Sequence, residues 1–374
     1  MNERSYPTAL QAPRAIVVAV DLDLAERPLA PELEEFHALI EATGAQVLDT
    51  IVQGRSAVDA ATLIGSGKAR EVAERAKELD ATIVFVFNDL RPRQRINLEK
   101  VIPLPIVDRT MVILDIFAQF ARSREGQLQV ELAQLRYRQS NLIGAGAALS
   151  RLGGGIGSRG PGETKLEVDR RKIQSRVSWL RRSLEIVRRQ RGTRRGSHGD
   201  EALIALVGYT NAGKSSLLNR LTNADAYVAD RPFATLDPTL RRAYIGSEEG
   251  KPQYAMLADT VGFITDLPEQ LITAFRATLE ELEGADLLVH VIDASNPTWH
   301  RQRASVEAIL HELALDDKPT LLVFNKADRI GSEGTHEAVA PPPGACIVSA
   351  RNGAGIEDLR ERLRRFVPVK EKQR

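Results

Sequence analysis

A chain of 374 residues has room for two or three domains, and 43% hydrophobic with 27% charged residues is an ordinary globular composition rather than a disordered one. Its 51 Lys+Arg against 50 Asp+Glu leave a net charge of +1, which excludes a uniformly cationic chain and, taken alone, argues against an anionic partner. The one cysteine, Cys346, excludes an intramolecular disulfide framework, and the six scattered histidines have no zinc-ligand spacing. The opening MNERSYPTALQAPR lacks the apolar run of a signal peptide. No stretch approaches the ~20 apolar residues of a bilayer span, so a cytoplasmic setting is expected.

Residues 1–110 alternate short apolar runs (15–20, 45–52, 82–87 and the weaker 104–107) with charged amphipathic stretches near 31–43, 67–79 and 89–100. That alternation predicts a small α/β domain with a mainly parallel sheet. Gly65-Ser66-Gly67-Lys68 is shorter than a phosphate loop and reads as a turn leading into a helix. From 111 to 190 strand signals cease. Leu128, Leu132, Leu135 and Leu142 follow helical spacing, and Ile173, Val177, Leu180, Leu184 and Val187 form a narrow stripe suited to one helix lying along another. Between them, residues 144–162 hold eight glycines, which at ~1 kcal/mol each relative to Ala argues against helix. The expectation is therefore a long-helix hairpin with a Gly-rich loop over 144–162. Residues 191–200 read as a polar linker. A second α/β pattern fills 201–368, with strands near 202–207, 241–245, 254–258, 287–292, 320–324 and 346–348, and 369–374 form a tail.

The second α/β segment carries the chemistry. After an apolar strand comes Gly208-Tyr209-Thr210-Asn211-Ala212-Gly213-Lys214-Ser215, followed by the helical Ser216-Leu217-Leu218. This is G-x-x-x-x-G-K-S in strand–loop–helix context, where successive N–H groups and a helix N-terminus cradle phosphates. Lys214 is placed to reach the β- and γ-phosphates and Ser215 to ligate Mg²⁺. Asp259-Thr260-Val261-Gly262 closes the strand at 254–258. A carboxylate there can hold a Mg²⁺-bound water, and the Gly262 N–H can sense a γ-phosphate. Asn325-Lys326-Ala327-Asp328 and Ser349-Ala350 close two further strands, at the carboxyl ends where ligands collect in open α/β sheets. The Asp328 carboxylate can accept both N1–H and N2–H of guanine, a donor pair that adenine lacks. The Ala350 backbone N–H could donate to guanine O6.

Residues 202–367 thus resemble a translation-factor-class GTPase domain. The segment upstream is more specific: Leu149-Ser150-Arg151-Leu152-Gly153-Gly154-Gly155-Ile156-Gly157-Ser158-Arg159-Gly160-Pro161-Gly162-Glu163, continuing to Asp169-Arg170-Arg171, closely resembles the signature of HflX-type GTPases. Asp108-Arg109-Thr110, Leu114–Gln119 and Leu128–Gln134 follow the same pattern in matching order, so the resemblance covers nearly the whole chain. It departs at Phe120-Ala121-Arg122, where the family usually has Arg-Ala-Arg, and little chain follows the final helix.

The resemblance implies a switch segment at 231–239 with Thr235 as second Mg²⁺ ligand, Thr239 being the other candidate. Phe263 stands where similar GTPases carry the Gln that orients the attacking water, which implies slow hydrolysis completed by a partner, a cation or a moved loop. Asn211 in the phosphate loop implies a K⁺ that neutralises transition-state charge. The implied catalytic set is Lys214, Thr235, Gly262 and Asn211. The implied partners are GTP and GDP, and the large ribosomal subunit with its rRNA, for a monomer that splits or rescues stalled ribosomes. An assembly GTPase on immature rRNA and a signalling switch with a protein effector are the alternatives. Arg151, Gly153, Gly154, Gly155, Gly157, Arg159, Gly160, Arg170 and Arg171 are the candidate RNA contacts. Residues 159–195 hold thirteen Lys/Arg against four Asp/Glu, so the near-neutral total hides a basic segment on an otherwise mildly acidic chain.

Overall fold

The structure, a computed structural model, describes residues 12–22, 29–152, 161–195, 201–222, 232–233, 239–248, 250–265, 282–330 and 341–366, without the side chains of 141–152, 161–166, 188, 190–195 and 248. The chain divides into two compact units, one of residues 1–116 with 137–174 and one of 117–136 with 175–374.

In the first unit, Arg14–Asp21 (β1) is buried along six consecutive positions, as expected of a strand covered on both faces. It is flanked by Gln46–Gly54 (β2) and Ile83–Val86 (β3), and Ile106–Asp108 (β4) joins β3, giving the all-parallel order β2-β1-β3-β4. The fourth strand starts later than its apolar run because Pro103 and Pro105 have no N–H for a ladder. Helices Leu29–Ala42 (α1), Ser66–Glu78 (α2) and Pro92–Val101 (α3) form the crossovers. Gly65 caps α2 with no phosphate-loop geometry, so the Gly65–Lys68 stretch is a turn into a helix. Ala69, Val72 and Ala76 at helical spacing bury α2 in a core with Val18, Val84 and Leu98.

Helices Arg109–Phe120 (α4), Arg124–Leu152 (α5) and Pro161–Arg195 (α6) follow. The loop expected over 144–162 is corrected at both ends: α5 continues through Gly144 and Gly146 to Leu152, and α6 starts at Pro161. Ala145, Ala147 and Ala148 surround those two glycines, and extending an existing helix through them costs far less than nucleating one. Pro161 at the first helical position is likewise favourable. The expected linker at 191–200 is corrected in the same sense: α6 runs to Arg195, carried by arginines, which are good helix formers. Gly153, Gly154, Gly155, Gly157, Arg159 and Gly160 lie outside the described residues, as does the side chain of Arg151. Val177, Leu180 and Leu184 are buried on α6, while Arg170 and Arg171 are exposed. Gln139 donates to Gln174 at 2.9 Å in the first unit, and Arg176 grips Glu131 through Nε and Nη2 at 2.7 and 2.9 Å in the second.

The second unit holds a six-stranded sheet. Its strands are Leu203–Gly208 (β5), Thr239–Glu248 (β6), Lys251–Asp259 (β7), Leu287–Asp293 (β8), Thr320–Asn325 (β9) and Cys346–Ile347 (β10), in the order β10-β9-β8-β5-β7-β6. Only the β6–β7 hairpin is antiparallel. Helices Lys214–Thr222 (α7) and Ile356–Arg364 (α9) bury Leu217, Leu218, Leu221, Ile356, Leu359 and Leu363 on one face, while Trp299–Glu312 (α8) joins a smaller cluster with Ile292 and Phe324. Among the described residues no helix is long and apolar enough to cross a membrane.

Candidate functional site

The four motifs converge at the carboxyl ends of β5, β7, β8, β9 and β10, where the parallel order brings them side by side. The loop Gly208–Ser215 turns from β5 into α7. Gly213 has φ +90°, and a Cβ there would lie 2.3 Å from Asn325 Nδ2, so no other residue fits without displacing the Asn325 brace. Asn211 is exposed with φ +57°, a left-handed conformation that asparagine tolerates. Ala212 is buried, and Ser216 is half-buried in the first turn of α7.

Lys214 is buried, and its Nζ donates to the Gly208 and Tyr209 carbonyls at 3.1 and 2.8 Å. Burial pushes its pKa down to about 8, against the opposing pull of the Asp259 charge. Ser215 Oγ donates to Asp259 Oδ2 at 2.5 Å. Asp259 is 1% exposed, and its neighbour Thr260 is fixed by a hydroxyl bond to the Leu206 carbonyl at 2.7 Å. A hydroxyl and a carboxylate together at a strand end are hard oxygen donors, the set that suits Mg²⁺. Gly262 presses on the loop: a Cβ there would meet Thr210 Cα at 2.7 Å and Lys214 Nζ at 3.1 Å. Thr235 lies outside the described residues; Thr239 opens β6 opposite Asp259.

At the other end, Asn325 is 2% exposed and joins three motifs. Its Nδ2 donates to the Ala212 carbonyl at 3.0 Å, and its Oδ1 accepts from the Ala350 N–H at 3.0 Å. The Ala350 amide, read from the sequence as a possible donor to guanine O6, is here engaged by Asn325. Lys326, at φ +64°, pairs with Asp293 at 2.8 Å. The Ser349 hydroxyl donates to Asp328 Oδ1 at 2.5 Å, and that bond holds the Asp328 carboxyl below its usual range.

Sequence reasoning missed several participants. Asp293 was legible as an acid closing the apolar run 287–292. Thr260 falls at a variable position of the Asp259–Gly262 motif and Phe233 inside the segment 231–239, while Thr265 carries no motif signal. Phe263 is buried at 1% and offers the site only its backbone.

Comparison with known proteins agrees with this geometry. Residues 30–118 match the family described as GTP-binding GTPase N-terminal, 121–198 the GTP-binding GTPase middle region, and 203–326 the 50S ribosome-binding GTPase. The chain is 45% identical over 348 residues to the GTPase HflX of Lacrimispora saccharolytica, covering 92% of this chain and 81% of that one. To the GTPase HflX of Escherichia coli K12 it is 44% identical over 341 residues, covering 89% and 78%. The fold is that of SsGBP, solved as a GDP complex, with a TM-score of 0.52 at 24% identity over 95% of this chain and 98% of that one. A phosphate loop, an acidic strand end and a guanine-type base site on one sheet, in a chain this similar to those relatives, make it a GTP-binding P-loop GTPase that belongs to the HflX family.

Proposed function

We propose that this GTPase is a switch that binds the large ribosomal subunit through its rRNA and splits or rescues stalled ribosomes. The observation that carries the nucleotide half is the Asn325 brace, which ties the phosphate loop at Ala212 to the base loop at Ala350 and so sets phosphate and guanine sites at a fixed separation. Gly208, Tyr209, Thr210, Asn211, Ala212, Gly213, Lys214, Ser215 and Ser216 wrap the phosphates. Asn325, Lys326, Asp328, Ser349 and Ala350 build the guanine site. Ser215 and Thr235 would hold Mg²⁺, with Asp259 acting on it indirectly, and the ion would screen charge between the phosphates. Hydrolysis is attack of water on the γ-phosphoryl group, driven by positioning and electrostatics. Lys214 neutralises phosphate charge and the Gly262 N–H faces the γ-phosphate. Asn211, exposed and left-handed, is the candidate K⁺ contact. Turnover is then higher in K⁺ than in Na⁺ at equal ionic strength, and equal rates across a full titration refute the K⁺ role.

The ribosome half is supported by the basic α6, with Arg170 and Arg171 exposed, and by the match of 203–326 to a family described as ribosome-binding. Arg151, Gly153, Gly154, Gly155, Gly157, Arg159 and Gly160 would approach the RNA backbone, glycine exposing N–H groups without side-chain obstruction. The test is co-sedimentation with intact ribosomes, separated subunits and precursor particles, with GDP or a non-hydrolysable GTP analogue. Binding to large subunits with the analogue, weakened by salt and by shortening residues 153–160, is expected. Preference for precursor particles, or ribonuclease-resistant capture of a protein alone, refutes it.

A further inference from the structure

Tyr209 and Thr210 fill positions of G-x-x-x-x-G-K-S at which the phosphate cradle requires backbone N–H groups and no particular side chain. Each nevertheless aims a side-chain oxygen at a different segment beside the loop. Thr210 Oγ1 accepts the Phe233 N–H at 3.2 Å. The Tyr209 hydroxyl accepts the Thr265 N–H at 2.8 Å and pairs with the Thr265 hydroxyl at 2.8 Å.

Both attachments act on backbone that needs holding. Phe233 has φ +59°, an outlier for a bulky residue and the kind of strain that persists only where surroundings impose it. Its N–H is fixed by Thr210, and its ring, 2% exposed, packs edge-on against Phe117 of α4 with centroids 4.5 Å apart. On the other side, the Thr210 N–H donates to the Phe263 carbonyl at 2.7 Å and the Phe263 N–H to the Gly208 carbonyl at 3.1 Å. Tyr209 extends this two-rung bridge to Thr265. The stretch from Gly262 to Thr265 is thereby stitched to the loop at three points. Phe263 has no polar side-chain atom, so the hydrogen bonds that tie this stretch to the loop are made by its backbone and by Tyr209.

We propose that the Tyr209 and Thr210 hydroxyls are positioning groups for GTP hydrolysis, holding the Gly262–Thr265 and Phe233 segments against the phosphate loop. They lower the ordering cost of bringing both segments over a γ-phosphate, without contacting the nucleotide through their side chains. The proposal rests on the assignment of Gly262 to that phosphate.

The experiment compares Tyr209→Phe, Thr210→Val and Thr210→Ser with the wild-type full chain, measuring single-turnover GTP hydrolysis and the affinity for a fluorescent GDP. Tyr209→Phe and Thr210→Val are expected to slow hydrolysis by about tenfold each, on the order of one lost hydrogen bond in the barrier. Hydrolysis should fall more than GDP affinity in both, and Thr210→Ser, which keeps the hydroxyl, should hydrolyse GTP faster than Thr210→Val. Equal or faster hydrolysis in both hydroxyl deletions overturns the proposal. So does Thr210→Ser behaving like Thr210→Val, or GDP affinity falling in step with rate, which would mark a merely structural role. Gly262→Ala separates the underlying assignment: if it hydrolyses GTP at the wild-type rate, Gly262 does not serve the γ-phosphate, whatever the hydroxyl variants do.

Discussion

Asn325 offers the sharpest energetic test, because one buried side chain holds two otherwise separate loops. Replacing it with alanine removes the donor to the Ala212 carbonyl and the acceptor from the Ala350 N–H, each bond 3.0 Å long. The site is 2% exposed, so solvent cannot readily replace either partner. A buried backbone group left without a hydrogen bond costs about 1–3 kcal/mol, giving roughly 2–5 kcal/mol for the pair. Part of this should appear as lost stability of the second unit, lowering its melting temperature by about 2–4 °C per kcal/mol. Part should appear as at least about a fivefold loss in GDP affinity, on the order of 1 kcal/mol, since Ala212 belongs to the phosphate loop. Asn325→Asp sharpens the test: it keeps the acceptor for Ala350 but sets a carboxylate oxygen against the Ala212 carbonyl. It should weaken GDP binding as strongly as alanine. Thermal unfolding with and without GDP, combined with fluorescent-GDP titration, reads both quantities. If Asn325→Ala leaves melting and affinity within about 0.5 kcal/mol of wild type, the brace is not what fixes the site, and the reasoning fails.

Asp328→Asn should weaken GDP binding by at least about a hundredfold while leaving the affinity for a base with a C2 carbonyl much less affected, and unchanged preference would refute the guanine assignment. Because the Ser349 hydroxyl holds the Asp328 carboxyl below its usual range, the carboxylate is ionised well below neutrality. Its contribution to guanine binding should therefore be flat from pH 8 to about 5 and decline only as pH falls toward the carboxylate range. Gly262→Ala places a methyl 2.7 Å from Thr210 Cα, so GTP hydrolysis should drop by more than tenfold, measured at saturating nucleotide. Lys214 titrates at about 8 in the folded chain and near 10.5 when unfolded, so the unfolded state binds more protons between those values and stability contributed by this group rises with pH. Relative to Lys214→Met, wild type should gain about 2 kcal/mol of unfolding free energy between pH 7.5 and 9.5 in denaturant titrations, and a flat difference would contradict the burial argument.

How much of this was legible depended on whether the signal was local. The apolar runs that became β1, β2, β5 and β8 are short, bounded and next to amphipathic helices, so strand placement followed from pattern alone. The phosphate loop and the Asn325–Asp328 motif were legible because their chemistry needs particular residue types at fixed spacing. The extent of the Gly-rich segment was misjudged. Glycine count weighs against a helix per residue, but helix formation is cooperative, and Gly144 and Gly146 lie in an already propagating α5 among alanines. The engagement of the Ala350 amide was invisible for another reason. It depends on the separation of two loops 25 positions apart in sequence, which only the register of β9 against β10 defines.

The same distinction explains where function divides in this chain. The proposed nucleotide contacts fall on motif residues whose spacing is shared by many GTPases. What separates one such enzyme from another is how the shared site is held and what moves with it. By the positioning proposal, that burden falls here on side chains outside the recurring letters: Tyr209 and Thr210 within the loop, Thr265 beyond Gly262, and Phe233 against Phe117. Phe117 belongs to α4, upstream of the GTPase domain in sequence, and its ring packs edge-on against Phe233, whose backbone is left-handed. On the proposed switch reading, a tightly packed contact of that kind would respond in discrete steps rather than by gradual deformation.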